Sequence, residues 1–396
     1  MTLKQQNYMF CLVVEYRVAV IGAGVLGLFT ALELVQTGRV QVHVVEAGHP
    51  GSGSSGRSVG MIETQFLTRA DVEVRAFGRG VYTSLERDHD LPFVHGGYLR
   101  LGRTGHDVAR FEKSVQLQAE YGVTDAEILS APEIARRWPH LVTEDVPAGL
   151  FGSWDGYVDG YEVSQLLARL IRAGGGRLHS GTRLIRAVHG ESWELTTTSG
   201  TLHADVVVNA AGGWGGIVAE MLNAPVDLVP QLHGAVTIEL TEDKPFTPFV
   251  MDYVPGSHTE GVYFRSERKD QLIAGLHTEE VTHGAVSPNV QLGTMKFETI
   301  EQIATLLSKR LNDVDDMRVG RSWTGIYPMS PDHTPIVGPH SANPTVVCAL
   351  GAGGNGIQLA PAIGRMAADA ILRRPPTFSS CINWAHPRLA SPSPKG

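Results

Sequence analysis

At 396 residues the chain is too long for most single cores, so two domains are expected, and its 42% hydrophobic and 19% charged residues exclude extended disorder. A formal net charge of −8 argues against a nucleic-acid surface, and no apolar run reaches the length of a membrane span. Cys11, Cys348 and Cys381 are too far apart to form a CxxC pair or a metal cluster, and they fit plain thiols in a reducing cytoplasm.

In chain order, "MTLKQQNYMFCLVVEYR" has one lysine and a short apolar patch ended by Glu15 and Arg17, and does not read as a signal peptide. Arg17 to Ile21 is then a short β-branched strand. Gly22, Gly24 and Gly27 follow as G-x-G-x-x-G. Val25 to Thr37 has helix-forming composition, closed by Gly38 where a C-cap glycine belongs. Val40 to Val45 is a second buried strand ending in Glu46, 19 residues beyond Gly27. Gly22 permits the tight turn, Gly24 lets backbone approach a pyrophosphate, and Gly27 lets the helix pack on the sheet. The helix N-terminus offers N–H groups to phosphates, and Glu46 can accept hydrogen bonds from a ribose diol. A lone glycine motif would be weak, but strand, helix, second strand and acid are in register, which favours a dinucleotide. A carboxylate at that place disfavours a 2′-phosphate.

Gly53, Ser54, Ser55 and Gly56 then expose backbone N–H groups and hydroxyls suited to phosphate and ribityl oxygens, with Arg57 beside them. Alone, this loop would read as solvated surface. Further along, "ADVVVNAAGGWGG" (204–216) is a buried strand running into glycines and a tryptophan. "RSWTGIYPMSPDHTPIVGP" (321–339) precedes "TVVCALGAGGNGIQLAPAIGRMAADAIL" (345–372), which reads as strand, glycine turn and helix. A dinucleotide with a large planar head needs several such backbone approaches, whereas a nicotinamide domain usually needs only the first.

With these motifs the chain resembles the FAD-dependent D-amino-acid oxidase superfamily. More narrowly, it resembles the branch holding sarcosine oxidases, dimethylglycine dehydrogenase, glycine oxidase and D-amino-acid dehydrogenases. "VAVIGAGVLGLFTALEL", Glu46, "GSSGRS", "WDGYVDGYEV", "VVVNAAGGW", "WTGIYPMSPDHTPIVG" and "GAGGNGIQLAPAIG" carry the resemblance, from about Arg17 to Leu372. It implies an α/β protein, a Rossmann-type FAD-binding domain with a second α+β substrate domain built on a mostly antiparallel sheet. The FAD domain would gather 1–85, 150–222 and 320–396, and the substrate domain 86–149 and 223–319. Sequence patterns agree. "DVARFEKSVQLQAEYG" and "VSQLLARLIRAGG" are helical, as is "TMKFETIEQIATLLSKRL", with Phe297, Ile300, Ile303, Leu307 and Leu311 near one face. "GYLRLG", "GAVTIEL" and "GVYFRS" have strand composition. The tail "LASPSPKG" reads as disordered.

The resemblance also implies the cofactor's neighbours. On the first motif these are Gly22, Gly24, Val25, Leu26, Gly27 and Glu46, and on the following loop Ser54, Ser55, Arg57, Ser58, Gly60 and Met61. Leu184, Ala211, Gly212 and Trp214 come from the middle of the chain, and Gly325, Gly353, Gly354, Asn355, Gly356 and Ile357 from its C-terminal third. Where relatives bond FAD covalently this chain has Gly325 and Arg57, so the FAD is expected to be noncovalent. Tyr327, His277 and Tyr263 fall at positions that line the amine site, and Arg265 is a substrate-domain cation. The arginine and lysine that grip the substrate carboxylate in sarcosine oxidases fall here on Glu63 and Gln358, which suggests a larger or more basic amine than sarcosine. The oxygen-activating lysine falls on Ile273, with Lys269 nearby, so oxygen is expected to be a poor acceptor.

The activity implied is oxidation of the C–N bond of a small-molecule amine or amino acid, by hydride transfer to flavin N5, giving an imine that hydrolyses. Two other readings remain open: a flavin-dependent hydroxy-acid oxidoreductase, and a flavin subunit that needs a partner chain. The oligomeric state is also open.

Overall fold

The computed structural model describes residues 16–257, 260–277, 284–312 and 317–384. Cys11 and the tail from Leu389 lie outside the described residues.

The strand Tyr16–Ile21 is the centre of a six-stranded sheet. It pairs in parallel with Val40–Val45 on one side and Val206–Asn209 on the other. Arg177–His179 and Asn343–Leu350 extend the sheet in parallel, and Ile336–His340 closes it antiparallel. Strand side chains alternate between faces, and both faces are covered. Val18 and Val20 face the core formed with the helices Val25–Val35, Gly160–Ala173 and Gly356–Ile371. Ala19 and Ile21 face a second core, roofed by the three-stranded sheet Leu184–His189, Trp193–Thr197 and Gly200–Ala204. Sheets buried on both faces are built of apolar runs such as "VAVI".

The helices lock together at small residues. A Cβ at Gly364 would meet the backbone of Phe29 at 2.7 Å, so the first and last helices of this layer touch backbone to backbone. The long helix Arg69–His89, capped by the Thr68 side chain, joins them. Its Tyr82 hydroxyl donates to the Ile357 carbonyl at 2.7 Å.

The second layer is an eight-stranded sheet, antiparallel except where Phe249–Asp252 runs parallel to Tyr98–Leu101. One face packs on the helix Phe297–Leu307 through Ile303, Leu307 and Leu311. Phe297 departs from the expected apolar face: as the first helical residue it is 73% exposed. Two sequence boundaries fall inside strands of this sheet. Residue 150 lies within Ala148–Gly152, and residue 320 lies within Arg318–Met329. The latter strand runs along Val229–Glu239 at the sheet's edge and ends against the glycine turns of the first layer, so it ties the two layers together. No helix among the described residues is long and apolar enough to cross a membrane.

Candidate active site

A cleft of about 460 Å³ opens at the C-terminal end of the strand Tyr16–Ile21. Gly22 turns the chain there with φ +108°, and a Cβ on it would meet the Ala210 carbonyl oxygen at 2.4 Å. Gly24, Val25 and Leu26 bring the helix N-terminus onto the cleft wall. Gly27 is one step behind, where a Cβ would meet the Gly22 carbonyl oxygen at 2.1 Å; it serves the close helix–strand contact. The Glu46 carboxylate accepts from the Ala23 N–H and the Gly48 N–H, each at 2.7 Å, and keeps lone pairs for a diol.

The loop after Glu46 closes one side. Ser54, Ser55, Arg57 and Ser58 all line the cleft. The serine hydroxyls already have partners: Ser55 Oγ accepts from the Val25 N–H at 3.1 Å, Ser54 Oγ donates to the Ile326 carbonyl at 2.6 Å, and Ser58 Oγ accepts from the Gly60 N–H at 3.0 Å. Leu184, Ala211, Gly212 and Trp214 form the opposite wall, and Gly325, Gly353, Gly354, Gly356 and Ile357 form the floor. Gly60 and Met61 do not reach it. Gly60 has φ +72° and holds the Val158 N–H, and Met61 pairs with Tyr157, so both steer the loop into a small sheet. Thr182 and Arg183 line the cleft without a motif to announce them. Trp323 lines it too, although the motif "WTGIYPMSPDHTPIVG" that it opens assigns it no role; it donates its indole N–H to the Arg57 carbonyl at 2.9 Å. Gly325 and Arg57 face each other, with an added Cβ at 325 lying 3.6 Å from Arg57 Cβ.

A larger cavity of about 790 Å³ adjoins this cleft, and the two share His233, Tyr327 and the turn Ala352, Gly353 and Gly354. Tyr327 stacks on the His233 imidazole with centroids 4.0 Å apart. Burial pushes the Tyr327 phenol up to about 12, and burial with the neighbouring Tyr327 also raises that of Tyr263. Both therefore stay protonated at neutral pH and can donate. His277 lines the larger cavity and meets the Tyr253 ring edge-on at 5.0 Å, while Tyr263 lines the cofactor cleft. Asn355, expected at the cofactor, is instead on the larger cavity. Its wall also carries Asp71, Arg75 and His233, which lie outside the quoted motifs, and His333, which lies within "WTGIYPMSPDHTPIVG" with no role assigned there. His333 has φ +58°, an uncommon conformation for a non-glycine residue.

The residues expected to hold the substrate lie elsewhere. Glu63 is buried with its side chain fully covered, and it is absent from both cavity walls. It faces neither solvent nor Arg57 nor Arg69; its nearest cation is Arg75, Nε to Oε1 3.5 Å. Burial pushes its carboxyl up, against the pull of Arg75 and Arg100. Gln358 is buried too, accepting from the Glu63 N–H at 3.3 Å and donating to Asn355 at 2.8 Å. Arg265 stacks on Tyr157 at 3.4 Å and bonds Glu267 at 2.5 Å. It lines a third cavity of about 370 Å³, beside Arg57 and Ile273. Register explains the grouping, since Arg265 and Ile273 are cross-strand partners; Lys269 sits on the exposed turn beyond them.

A doubly covered parallel sheet, a glycine-turned helix N-terminus and an acid at the end of the second strand define a dinucleotide-binding enzyme of the FAD type. The chain belongs to the FAD-dependent oxidoreductase family, whose model matches residues 17–370. It is 26% identical over 381 residues to the mitochondrial dimethylglycine dehydrogenase of Homo sapiens, covering 91% of this chain and 43% of that protein. The chain thus spans under half the length of that relative. It is 24% identical over 374 residues to glycine oxidase from Geobacillus kaustophilus, covering 92% of this chain and 95% of that one. Among solved structures, the L-proline dehydrogenase from P. horikoshii superposes with a TM-score of 0.80 at 24% identity, covering 91% and 94% of the two chains. A glycine oxidase from Geobacillus kaustophilus superposes at 0.77 and 21%, covering 94% and 98%. The fold is thus that of these flavoenzymes, and the cofactor is FAD. The residues present fit it: N–H groups at the helix N-terminus, a diol-binding carboxylate, and glycine turns where side chains would block approach.

Proposed function

We propose that the protein oxidises the C–N bond of an amine or amino acid in the larger cavity, with FAD held noncovalently in the adjoining cleft. One observation carries this reading: the two spaces share a wall of Tyr327, His233 and the glycine turn 352–354. A substrate carbon and a flavin can meet only across such a shared wall. When bound, FAD supplies a two-electron acceptor for the hydride that leaves the carbon next to nitrogen. The chain must do the rest. Its protonated tyrosines can hold polar substrate atoms, and the imidazoles of His233, His277 and His333 offer nitrogens that can take a proton from the incoming ammonium. The substrate's C=N bond then forms from the nitrogen lone pair, and water hydrolyses the product. Glu46, the N–H groups at Gly24 to Leu26 and the glycine turn of residues 353–356 would grip the cofactor. Neither Gly325 nor Arg57 offers a nucleophile for a covalent link. With Cys348 and Cys381 buried as free thiols, a cytoplasmic location is part of the proposal.

Anaerobic flavin reduction tests it. Secondary amines, D-amino acids, N-methyl amino acids and hydroxy acids are added one at a time to the purified chain. Bleaching by an amine or amino acid supports the reading. Bleaching by hydroxy acids alone overturns it, and no bleaching without a second chain assigns the activity to a complex.

A further inference from the structure

The wall of the larger cavity holds one arginine among the described residues, Arg75, and its setting is unusual. The guanidinium is almost wholly buried, lying flat over the Phe66 ring at 3.4 Å. Its one strong partner is Asp71, with Nη1 to Oδ1 2.8 Å. Asn355 accepts more weakly from Nη2 at 3.5 Å. The buried Nε has no hydrogen-bond acceptor, and neither oxygen of the neighbouring Glu63 has a hydrogen-bond donor. Glu63 is an ion-pair neighbour of Arg75 at 3.5 Å but makes no hydrogen bond to it, so the Nε–H donor stays unpaired. Asp71 differs from Glu63 in two respects. Its side chain is 31% exposed on the cavity wall, and it has a second partner in the Thr68 hydroxyl at 2.5 Å. It can therefore let go of Arg75 and remain satisfied at the helix N-terminus, where a negative charge is favoured.

We propose that Arg75 is the group that receives the carboxylate of an amino-acid substrate, and that Asp71 occupies that place until the substrate arrives. The proposal rests on the amine-oxidation reading and narrows its substrate to molecules carrying a carboxylate. Binding is an exchange of one carboxylate for another on a planar, preoriented fork; no bond is made or broken. Arginine suits this because its donors match a carboxylate two at a time. The cation that sarcosine oxidases place at the position of Glu63 is supplied here from the following helix.

Calorimetric titration of the holoenzyme with benzoate and with its neutral counterpart benzamide tests this without turnover. Wild type should bind benzoate more tightly than benzamide. Asp71→Asn should tighten benzoate binding several-fold and leave benzamide unchanged, because the internal competitor is gone. Arg75→Gln should weaken benzoate at least tenfold, with Arg75→Lys in between. Should Arg75→Gln fail to fold, Asp71→Asn, at a partly exposed side chain, still decides. Equal affinity for both ligands, or benzoate binding indifferent to Asp71→Asn, overturns the proposal. If the benzoate pattern holds but no amine or amino acid bleaches the flavin, the amine-oxidation reading fails and the anion grip stands. If amino acids bleach the flavin while benzoate ignores Asp71→Asn, only the grip fails.

Discussion

Asp155→Asn should make the protein more stable, and increasingly so as pH rises. Asp155 is fully buried and accepts from the Thr64 N–H at 3.2 Å and from Gln65 Nε2 at 2.9 Å. Burial, reinforced by the charge of Glu63, pushes its carboxyl up to about 8. In the unfolded chain the same group titrates near 4. Between those values the native state holds a proton that the unfolded state has lost, so this contribution to stability is complete below pH 4 and falls as pH rises, until the native carboxyl ionises near 8. One proton costs about 1.4 kcal/mol per pH unit, so from pH 5 to pH 8 the loss amounts to about 4 kcal/mol. Asparagine keeps the shape and can still accept from Thr64 and Gln65, but it does not ionise. Urea midpoints of wild type and variant, measured at saturating FAD every half unit from pH 5 to 8.5, isolate the effect. The two should nearly coincide at pH 5 and diverge above it. Parallel curves across that range would refute the reasoning, as would a variant that loses ground with rising pH.

Acid precipitation should release all the flavin into the supernatant, and flavin in the pellet would refute noncovalent binding. Glu46→Ala should weaken FAD binding by roughly 1–3 kcal/mol in equilibrium dialysis, the range for a hydrogen bond to a charged group; unchanged affinity would remove Glu46 from the cofactor site. Reduced enzyme should react slowly with oxygen in stopped flow, because the third cavity has Ile273 where a free cation would stabilise superoxide, and its Arg265 is already engaged by Glu267 and Tyr157. Reoxidation as fast as that of ordinary flavin oxidases would show that Arg265 does that work. Gly364→Val should lower thermal stability by about 1–3 kcal/mol, since its Cβ would sit 2.7 Å from the Phe29 backbone; an unchanged melting temperature would mean that the helices separate freely.

The cofactor layer was legible because its signals are local. The β-branched run of Tyr16–Ile21, the glycines at 22, 24 and 27, and the acid at 46 sit within one continuous stretch, each doing one steric or electrostatic job. Most residues read as cofactor neighbours line the cleft for that reason. Gly60 and Met61 did not follow because the loop pairs into a small sheet, a contact set by Val158 and Tyr157 far along the chain. The substrate side was poorly legible for the same reason taken further. His233 and Tyr327 meet only because two strands of the eight-stranded sheet run side by side, and nothing in "QLHGAV" announces a ligand. Arg75 looks in sequence like any charge on an amphipathic helix. Only the fold shows it buried, stacked on Phe66 and open to the cavity.

The charge reversal at position 63 follows from this arrangement. Read by position, a carboxylate at a place where relatives carry an arginine suggested a site that repels acids and welcomes bases. Read in space, Glu63 lies behind the cavity wall in a buried polar cluster with Gln65, Asp155, Arg100 and Gln358, and the residue in front of it is an arginine. Burial pushes the Glu63 carboxyl up, against the pull of Arg75 and Arg100. Glu63 makes no hydrogen bond to Arg75, so the close carboxylate partner of the guanidinium is Asp71, whose side chain is partly exposed. On the proposed exchange, Arg75 is then free to bind an incoming carboxylate at the cavity wall once Asp71 lets go. An acid at 63 is then compatible with a substrate that is itself an acid, the opposite of what its position in the sequence implied.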